Sequence, residues 1–246
     1  MALIDKLVAI ADAIRGKTGG SGKLTLDEMA AAVRGIETGG NIDALIDGSM
    51  TEIVSNATQI PYAIFKNHTG LTSINFPLAQ YIGEYTFSNC SSLKTVNCPL
   101  VATLYRSAFA SCTALTEIYL PAATVINERV FQNCTALTTV DLPVLSTINE
   151  YVFGNNKSLT RLILRSEIMV TLADVTAFNG CYHILGTVDA TYNPDGLKDG
   201  YIYVPKALIE DYKVATNWSN FADQFRALED YTVDGTITGA LDESKI

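Results

Sequence analysis

Three cysteines recur at one interval: Cys90, Cys112 and Cys134 stand 22 residues apart, inside the phrases TFSNCSSL, AFASCTAL and VFQNCTAL. Cysteine can ligate zinc, form a disulfide, attack a carbonyl or fill space in a core, and the spacing decides among these. Structural zinc needs close pairs of ligands such as C-x₂-C, which intervals of 22 do not supply. The two histidines add little: His68 occupies the column in which the repeat elsewhere places cysteine, and reads as a partly buried turn residue. His183 follows Cys181 in NGCYHILG, but no second group marks a nucleophile–base pair. The loop DATYNPDGLKDG gathers Asp189, Asp195 and Asp199, without the ligand spacing or terminal glutamate of a calcium loop. RGKTGGSGK looks phosphate-cradling, yet it follows a helical pattern and not a strand, and Ala11 stands where the motif needs its first glycine. With no carboxylate pair to place across a glycosidic bond, glycan cleavage is set aside too. The expectation is a protein that is not an enzyme and that carries no cofactor and no metal.

What positions the cysteines is the repeat itself. Leu71, Leu93, Leu115, Leu137 and Leu159 fall in register, followed by Ile74, Val96, Ile118, Val140 and Leu162, then by Phe76, Cys98, Leu120, Leu142 and Leu164. Pro77, Pro99, Pro121 and Pro143 close the first four copies; a second apolar set, Ile82, Leu104, Ile126 and Ile148, leads to the anchors Phe65, Phe87, Phe109, Phe131 and Phe153. In LTEIYLP the apolar Ile118 and Leu120 alternate with Glu117 and Tyr119, the period of a strand with one buried face. Proline removes a backbone donor and ends it. One copy cannot bury that face alone; stacked copies can, with strands ~4.8 Å apart in a parallel sheet. The cysteines therefore read as a ladder of buried free thiols bonded weakly to the returning backbone, continued by His68 above and Asn156 below. Cys98 belongs to a different column, as a small hydrophobe.

The pattern resembles the BspA-like leucine-rich repeats, whose units combine a leucine-x-x-isoleucine-x-leucine-proline strand with a phenylalanine-x-x-cysteine/asparagine return; ALTEIYLPAATVINERVFQNC at 114–134 fits position by position. That resemblance implies a leucine-rich-repeat solenoid of 22-residue units with a parallel β-sheet on one face, and a role in binding other macromolecules. The outward strand positions then form the candidate binding face: Ser73 and Asn75, Thr95 and Asn97, Glu117 and Tyr119, Thr139 and Asp141, Arg161 and Ile163. They differ from copy to copy while the inward positions stay apolar.

The ends depart from the pattern, as the ends of a solenoid do. Residues 50–185 read as the solenoid, its first copy degenerate at SMTEIVSNATQIPYAIF. Residues 186–230 read as an α/β C-terminal cap, with strand YIYVP at 201–205 and apolar Leu208, Ile209, Tyr212, Trp218, Phe221 and Phe225, and 231–246 as a loose tail. Upstream, Leu3, Leu7, Ile10 and Ile14 have the seam spacing of a short helix. A second helix starts at a Thr25–Glu28 capping box, with Leu26, Met29, Val33 and Ile36 on one face. Residues 1–37 thus predict a helical anchor that self-associates or docks on a partner, since helices this short do not stand alone; residues 38–49 predict a linker. The phrase ADAIRGKTGGSGKLTLDEMAAAVRGI resembles the leader of tail-associated proteins of phages and prophages of Gram-positive bacteria, which implies an anchor on other tail proteins, location in the virion and release by lysis.

Composition bounds the partners. Hydrophobic residues make up 48% and charged ones 17%, enough for a sizeable core, and a formal charge of −9 argues against nucleic acid, which needs a basic stripe. No segment reads as a membrane span or signal peptide, and six Asn-x-Ser/Thr sequons are discounted on that ground. The expected partner is a protein or a cell-surface glycan receptor, met either from a virion tail or, alternatively, from a bacterial cell surface as an adhesin.

Overall fold

The computed structural model describes residues 50–187, 189, 191 and 193–230, with the backbone of 232–233 and 241–242. The helices expected in 1–37, with Leu3, Leu7, Ile10, Ile14, Leu26, Met29 and Val33, and the linker at 38–49, lie outside these residues.

Each copy contributes two short strands. In chain order these are β1 Glu52–Val54 and β2 Gln59–Ile60, β3 Ser73–Asn75 and β4 Tyr81–Ile82, β5 Thr95–Asn97 and β6 Thr103–Leu104. They continue with β7 Glu117–Tyr119 and β8 Val125–Ile126, β9 Thr139–Asp141 and β10 Thr147–Ile148, β11 Arg161–Ile163 and β12 Thr171–Leu172. The first strands pair in parallel in two runs, β1-β3-β5 and β7-β9-β11, with Ile74 opposite Val96 and Val140 opposite Leu162. The second strands form another parallel stack, β2 to β12, with Ile82 opposite Leu104 and then Ile126. The sequence reading placed a parallel sheet on one face, and that sheet is present; the second ladder is added to it. It was missed because two-residue strands carry too little alternation to register as a period.

In the copies up to Phe153 the return from the second strand to the next copy contains no helix; after the last copy's second strand a 3-10 turn at Val175–Phe178 and one helical turn at Tyr182–Leu185 take its place. The helix-free return is built from paired left-handed residues two positions either side of the anchor phenylalanine: Tyr85 and Asn89, Ser107 and Ser111, Arg129 and Asn133, Tyr151 and Asn155, with φ between 55° and 62°. Asparagine tolerates this region, while tyrosine, serine and arginine there cost about 1 kcal/mol or more each. The stacking offsets that cost: Phe87 N–H donates to the Ala108 carbonyl at 2.8 Å, Phe109 to Val130 at 3.0 Å and Phe131 to Val152 at 3.0 Å. Three residues longer than the others, the fifth copy reaches Phe178 with Gly180 (φ 76°) in the asparagine position.

Inside, the anchor rings form one column. Phe65, Phe87, Phe109, Phe131, Phe153 and Phe178 stack at centroid separations of 5.4, 5.3, 5.7, 6.1 and 5.6 Å. All are buried, as are the leucine and isoleucine columns around them.

The column ends on aromatic residues from beyond the repeats. β13 (Tyr201–Val204) joins the sheet beside β11, and β14 (Phe225–Ala227) lies parallel beside β13. Between them runs α1 (Ile209–Val214) and a 3-10 stretch at Trp218–Gln224. Phe221 meets Phe178 edge-on at 4.9 Å, and Tyr212, Trp218 and Phe225 pack behind it. The polar handles of these rings do what another copy would do: the Val170 N–H donates to the Tyr212 hydroxyl and Trp218 Nε1 donates to the Val170 carbonyl, both at 2.7 Å. Asn217 Nδ2 likewise bonds the Leu172 and Ala173 carbonyls, each at 2.9 Å. Phe225, read as part of an amphipathic stretch, is in fact a strand residue. The stretch expected to be a loose tail contains a short antiparallel pairing of 232–233 with 241–242.

Phe109→Ala removes a ring stacked on both sides, and is expected to lower unfolding free energy by about 3–5 kcal/mol in urea titrations. Leu78→Ala, at an exposed position beside the same sheet, is expected to change it by less than about 0.5 kcal/mol.

Candidate recognition surface

The outward strand positions divide into two unlike halves. Toward the N-terminus the ladder is polar and open: Thr95, Asn97 and Glu117 are exposed, Ser73 and Asn75 half-buried, and Asn97 Nδ2 donates to Asn75 Oδ1 at 2.9 Å. Toward the C-terminus Tyr119, Thr139 and Arg161 are half-buried, while Asp141 and Ile163 are buried at 4% and 1% exposure. These last two, offered as binding-face candidates, are covered by neighbouring side chains. Ile163 lies under Tyr203, with Tyr201 and Leu228 alongside. Asp141 is covered by Arg165, whose Nε reaches Oδ1 at 3.0 Å and whose Nη2 reaches Oδ2 at 2.7 Å. Arg165 stands where the earlier copies have proline, so this strand alone ends in a side chain able to fold back as a donor fork. Burial pushes the Asp141 carboxyl up, and the hydrogen bonds and charge of Arg165 pull it partly back.

Two further residues belong to this face and escaped the sequence reading, Tyr201 and Arg226, the latter with its guanidinium 4.0 Å from the Tyr201 ring centroid; Tyr203 on the same strand is buried at 1% exposure. The strand of Tyr201 and Tyr203 pairs with a partner about forty residues earlier, Leu162 opposite Ile202, which no 22-residue register anticipates, and Arg226 follows on the strand beside it. The alternation in YIYV was the available signal.

On the opposite face the charged column is solvated. Arg106 and Glu128 approach to 3.8 Å with nearly half of each side chain exposed, an arrangement that contributes little to stability. His68 is half-buried, and Phe65 and Phe87 carry the packing next to it.

The thiol ladder is architectural. All five cysteines are free and buried. Cys90, Cys112 and Cys134 donate to the carbonyls of Phe65, Phe87 and Phe109 at 3.1, 3.3 and 3.2 Å, each one copy back. Cys181 joins the ladder below Asn156, donating to the Phe153 carbonyl at 3.1 Å. Burial pushes the thiols of Cys90, Cys98 and Cys134 up to about 12, and backbone hydrogen bonds recover only part of that rise. A buried thiol so protonated at neutral pH is a poor nucleophile. Asn156, buried in the same column, leaves both side-chain polar atoms without a partner.

In the acidic loop two of the aspartates are engaged by neighbouring groups. Asp199 Oδ1 is 2.7 Å from His183 Nδ1, and Asp189 Oδ1 accepts from the Thr191 N–H at 3.0 Å. Among the described residues no three His, Cys, Asp or Glu side chains are gathered to hold a metal ion, and no helix is long and apolar enough to cross a membrane.

Comparison with known proteins agrees with this frame. A sequence profile of the BspA type leucine-rich repeat region matches residues 58–185 in six copies, more than half of the chain. Curated protein sequences hold no match to the chain. A leucine-rich cell surface protein of Faecalibacterium prausnitzii A2-165 superposes with a TM-score of 0.50 at 23% identity, over 62% of this chain and 38% of that one. The pneumococcal vaccine antigen PcpA superposes with a TM-score of 0.51 at 13% identity, over 72% of this chain and 40% of that one. This chain thus spans less than half the length of either neighbour, and at these identities the likeness is one of fold.

The thiols set a pH dependence. Their folded-state values lie above the ordinary 9.0, so the folded chain holds protons that the unfolded chain releases. Stability is full below pH 9.0 and falls as pH rises toward 12. Urea midpoints at pH 8 and pH 10.5 are expected to differ in that direction, and replacing the ladder cysteines with alanine to flatten the slope. Separately, Arg165→Met leaves Asp141 buried without its cation and is expected to cost about 1–3 kcal/mol, the exposed flank of Arg165 moderating the loss.

Proposed function

The chain belongs to the BspA-type leucine-rich repeat family, and we propose that it is a non-enzymatic binding scaffold of a bacterial cell surface, recognising a protein through the outward face of its strand ladder. The observation that carries this reading is the contrast within each strand. Inward positions are apolar in every copy and buried in all but one, the half-buried Val96, while the outward ones run from Ser73 and Asn75 through Glu117 and Tyr119 to Arg161 and Tyr201. A buried ladder that repeats needs no such variety on its other side; a surface that reads a partner does. In this reading residues 50–185 are the recognition solenoid, residues 186–230 close its last copy, and residues 1–37 attach it to a neighbour.

The face suits a folded protein. It presents amides, a carboxylate, guanidinium groups and tyrosines spread over several copies, the residue types that anchor protein interfaces. A cell-surface glycan is the other class, and the test separates the two. A second reading, a phage or prophage tail protein that meets a host surface, rests on the wording of residues 1–37, where ADAIRGKTGGSGKLTLDEMAAAVRGI resembles the leader of such proteins.

Antibody against residues 50–230 is expected to label intact producing cells as strongly as permeabilised ones. Label confined to sedimenting particles released on lysis would replace the surface reading with the tail reading. Purified protein is expected to bind target cells, and trypsin treatment of those cells is expected to remove binding where glycosidase treatment does not; the reverse result identifies a glycan. Asn97→Arg and Glu117→Arg are expected to weaken binding about tenfold or more with unchanged thermal unfolding, while Glu84→Arg on the return side leaves it intact.

A further inference from the structure

On the strand face the copies are bonded to one another at every step but one. β3 pairs with β5, and β7 pairs with β9, yet no pairing joins β5 to β7, and the face is built as two separate runs, β1-β3-β5 and β7-β9-β11-β13-β14. Elsewhere the step is closed at both ends of the strand. Lys94 and Thr95 N–H groups donate to the Thr72 carbonyl at 2.8 and 3.2 Å, and those of Thr138 and Thr139 to the Thr116 carbonyl at 2.8 and 3.3 Å. At the other end Phe76 N–H donates to the Asn97 carbonyl at 2.8 Å, and Leu120 N–H to the Asp141 carbonyl at 3.2 Å. Among the described residues, the amides of Thr116 and Glu117 make no such bond to Lys94, and Cys98 makes none to Tyr119.

The return face is closed at this same boundary. β6 pairs with β8, Phe109 stacks on Phe131 at 5.7 Å, and Ser107, Phe109 and Ser111 N–H groups bond Glu128, Val130 and Gln132 at 3.0, 3.0 and 2.7 Å. Cys134 Sγ crosses it too, donating to the Phe109 carbonyl at 3.2 Å. The boundary is therefore bonded on one side and open on the other.

Two features of the sequence coincide with the opening. Cys98 is the smallest side chain in a column of Phe76, Leu120, Leu142 and Leu164, so the apolar packing drawing β7 onto β5 is weakest there. Val96 is the one inward strand residue of its column that is only half-buried, where Ile74, Ile118, Val140 and Leu162 are buried. Thr95, Asn97, Thr116 and Glu117, on either side of the opening, are exposed, while Cys98 is buried. The opening also divides the two halves of the face: the Asn75–Asn97 amide pair lies on one side, and Tyr119, Asp141 with Arg165, and Ile163 under Tyr203 lie on the other.

We infer that the β5/β7 step is a one-sided joint, at which the strand face opens and closes about the bonded return face. A partner lying across both halves selects one opening of the joint; that consequence rests on the recognition reading above, whereas the joint itself does not and is tested without any partner.

The test follows the wild-type full chain in a urea series below the unfolding midpoint, by thiol alkylation with site-resolved mass spectrometry and by amide hydrogen exchange. Opening on the strand face alone uncovers Cys98 and leaves Cys134 bonded across the same boundary. Cys98 is expected to be alkylated at urea concentrations where Cys134 is still unmodified. The amides of Cys98, Thr116 and Glu117 are expected to exchange at least about tenfold faster than those of Phe76, Thr138 and Leu120. If Cys98 and Cys134 react together, whether early, as the copies separate wholly, or only at global unfolding, the one-sided joint is wrong. Equal protection of the two sets of amides overturns it as well.

Discussion

Every copy of this protein is incomplete without its neighbour. A 22-residue unit with strands of two and three residues and a helix-free return cannot satisfy its own backbone, so its donors and acceptors are met one copy away. The consequence is visible in the smallest details. Thiol hydrogens reach back to the previous phenylalanine carbonyl, asparagine amides chain onto one another as in Asn89 to Asn67, and threonine and serine hydroxyls bond carbonyls of the copy before. Left-handed tyrosine, arginine and serine residues are held in place by the same inter-copy bonds. Nearest-neighbour dependence of this kind makes each contact repeat, and makes any departure from the repeat a local event.

A stack that depends on neighbours must be stopped, and the stop here is chemical as well as steric. Tyr212, Trp218 and Asn217 present side-chain donors and acceptors to Val170, Leu172 and Ala173, in place of the backbone of a further copy. The rings of Trp218 and Phe221 cover Phe178, which would otherwise end the phenylalanine column against water. β13 and β14 extend the sheet past the last repeat, which carries the outward face onto Tyr201 and Arg226. The device that ends the core therefore also alters the surface: it turns the C-terminal half of the face aromatic and covers Ile163, while the Arg165 fork covers Asp141. The N-terminal half keeps its open amides and hydroxyls.

The residues that first looked reactive illustrate how burial disposes of chemistry. Five thiols, two histidines and a cluster of aspartates are ingredients for several enzyme classes. In the fold the thiols are sequestered and held protonated, and His183 is paired with Asp199 at a loop end. Half-buried His68 completes the thiol column at its N-terminal end. The strand face varies from copy to copy, and it is free to do so because the inward alternation, and not the outward one, keeps the copies stacked.

Sequence alone determined the repeat, its period, the strand that opens each copy, the thiol ladder as buried architecture and the aromatic residues that close the stack. These are local or strictly periodic, and a fixed register writes them into the chain. Only the tertiary structure decided the rest. The second ladder escapes because two residues cannot show a period. Asp141 is covered by Arg165, which stands in place of the proline of earlier copies, and Ile163 by Tyr203, a neighbour brought close by a pairing outside the 22-residue register. The sheet is interrupted between β5 and β7, although the sequence there keeps its alternation, because whether two adjacent strands close depends on how the side chains beneath them fill the space between copies.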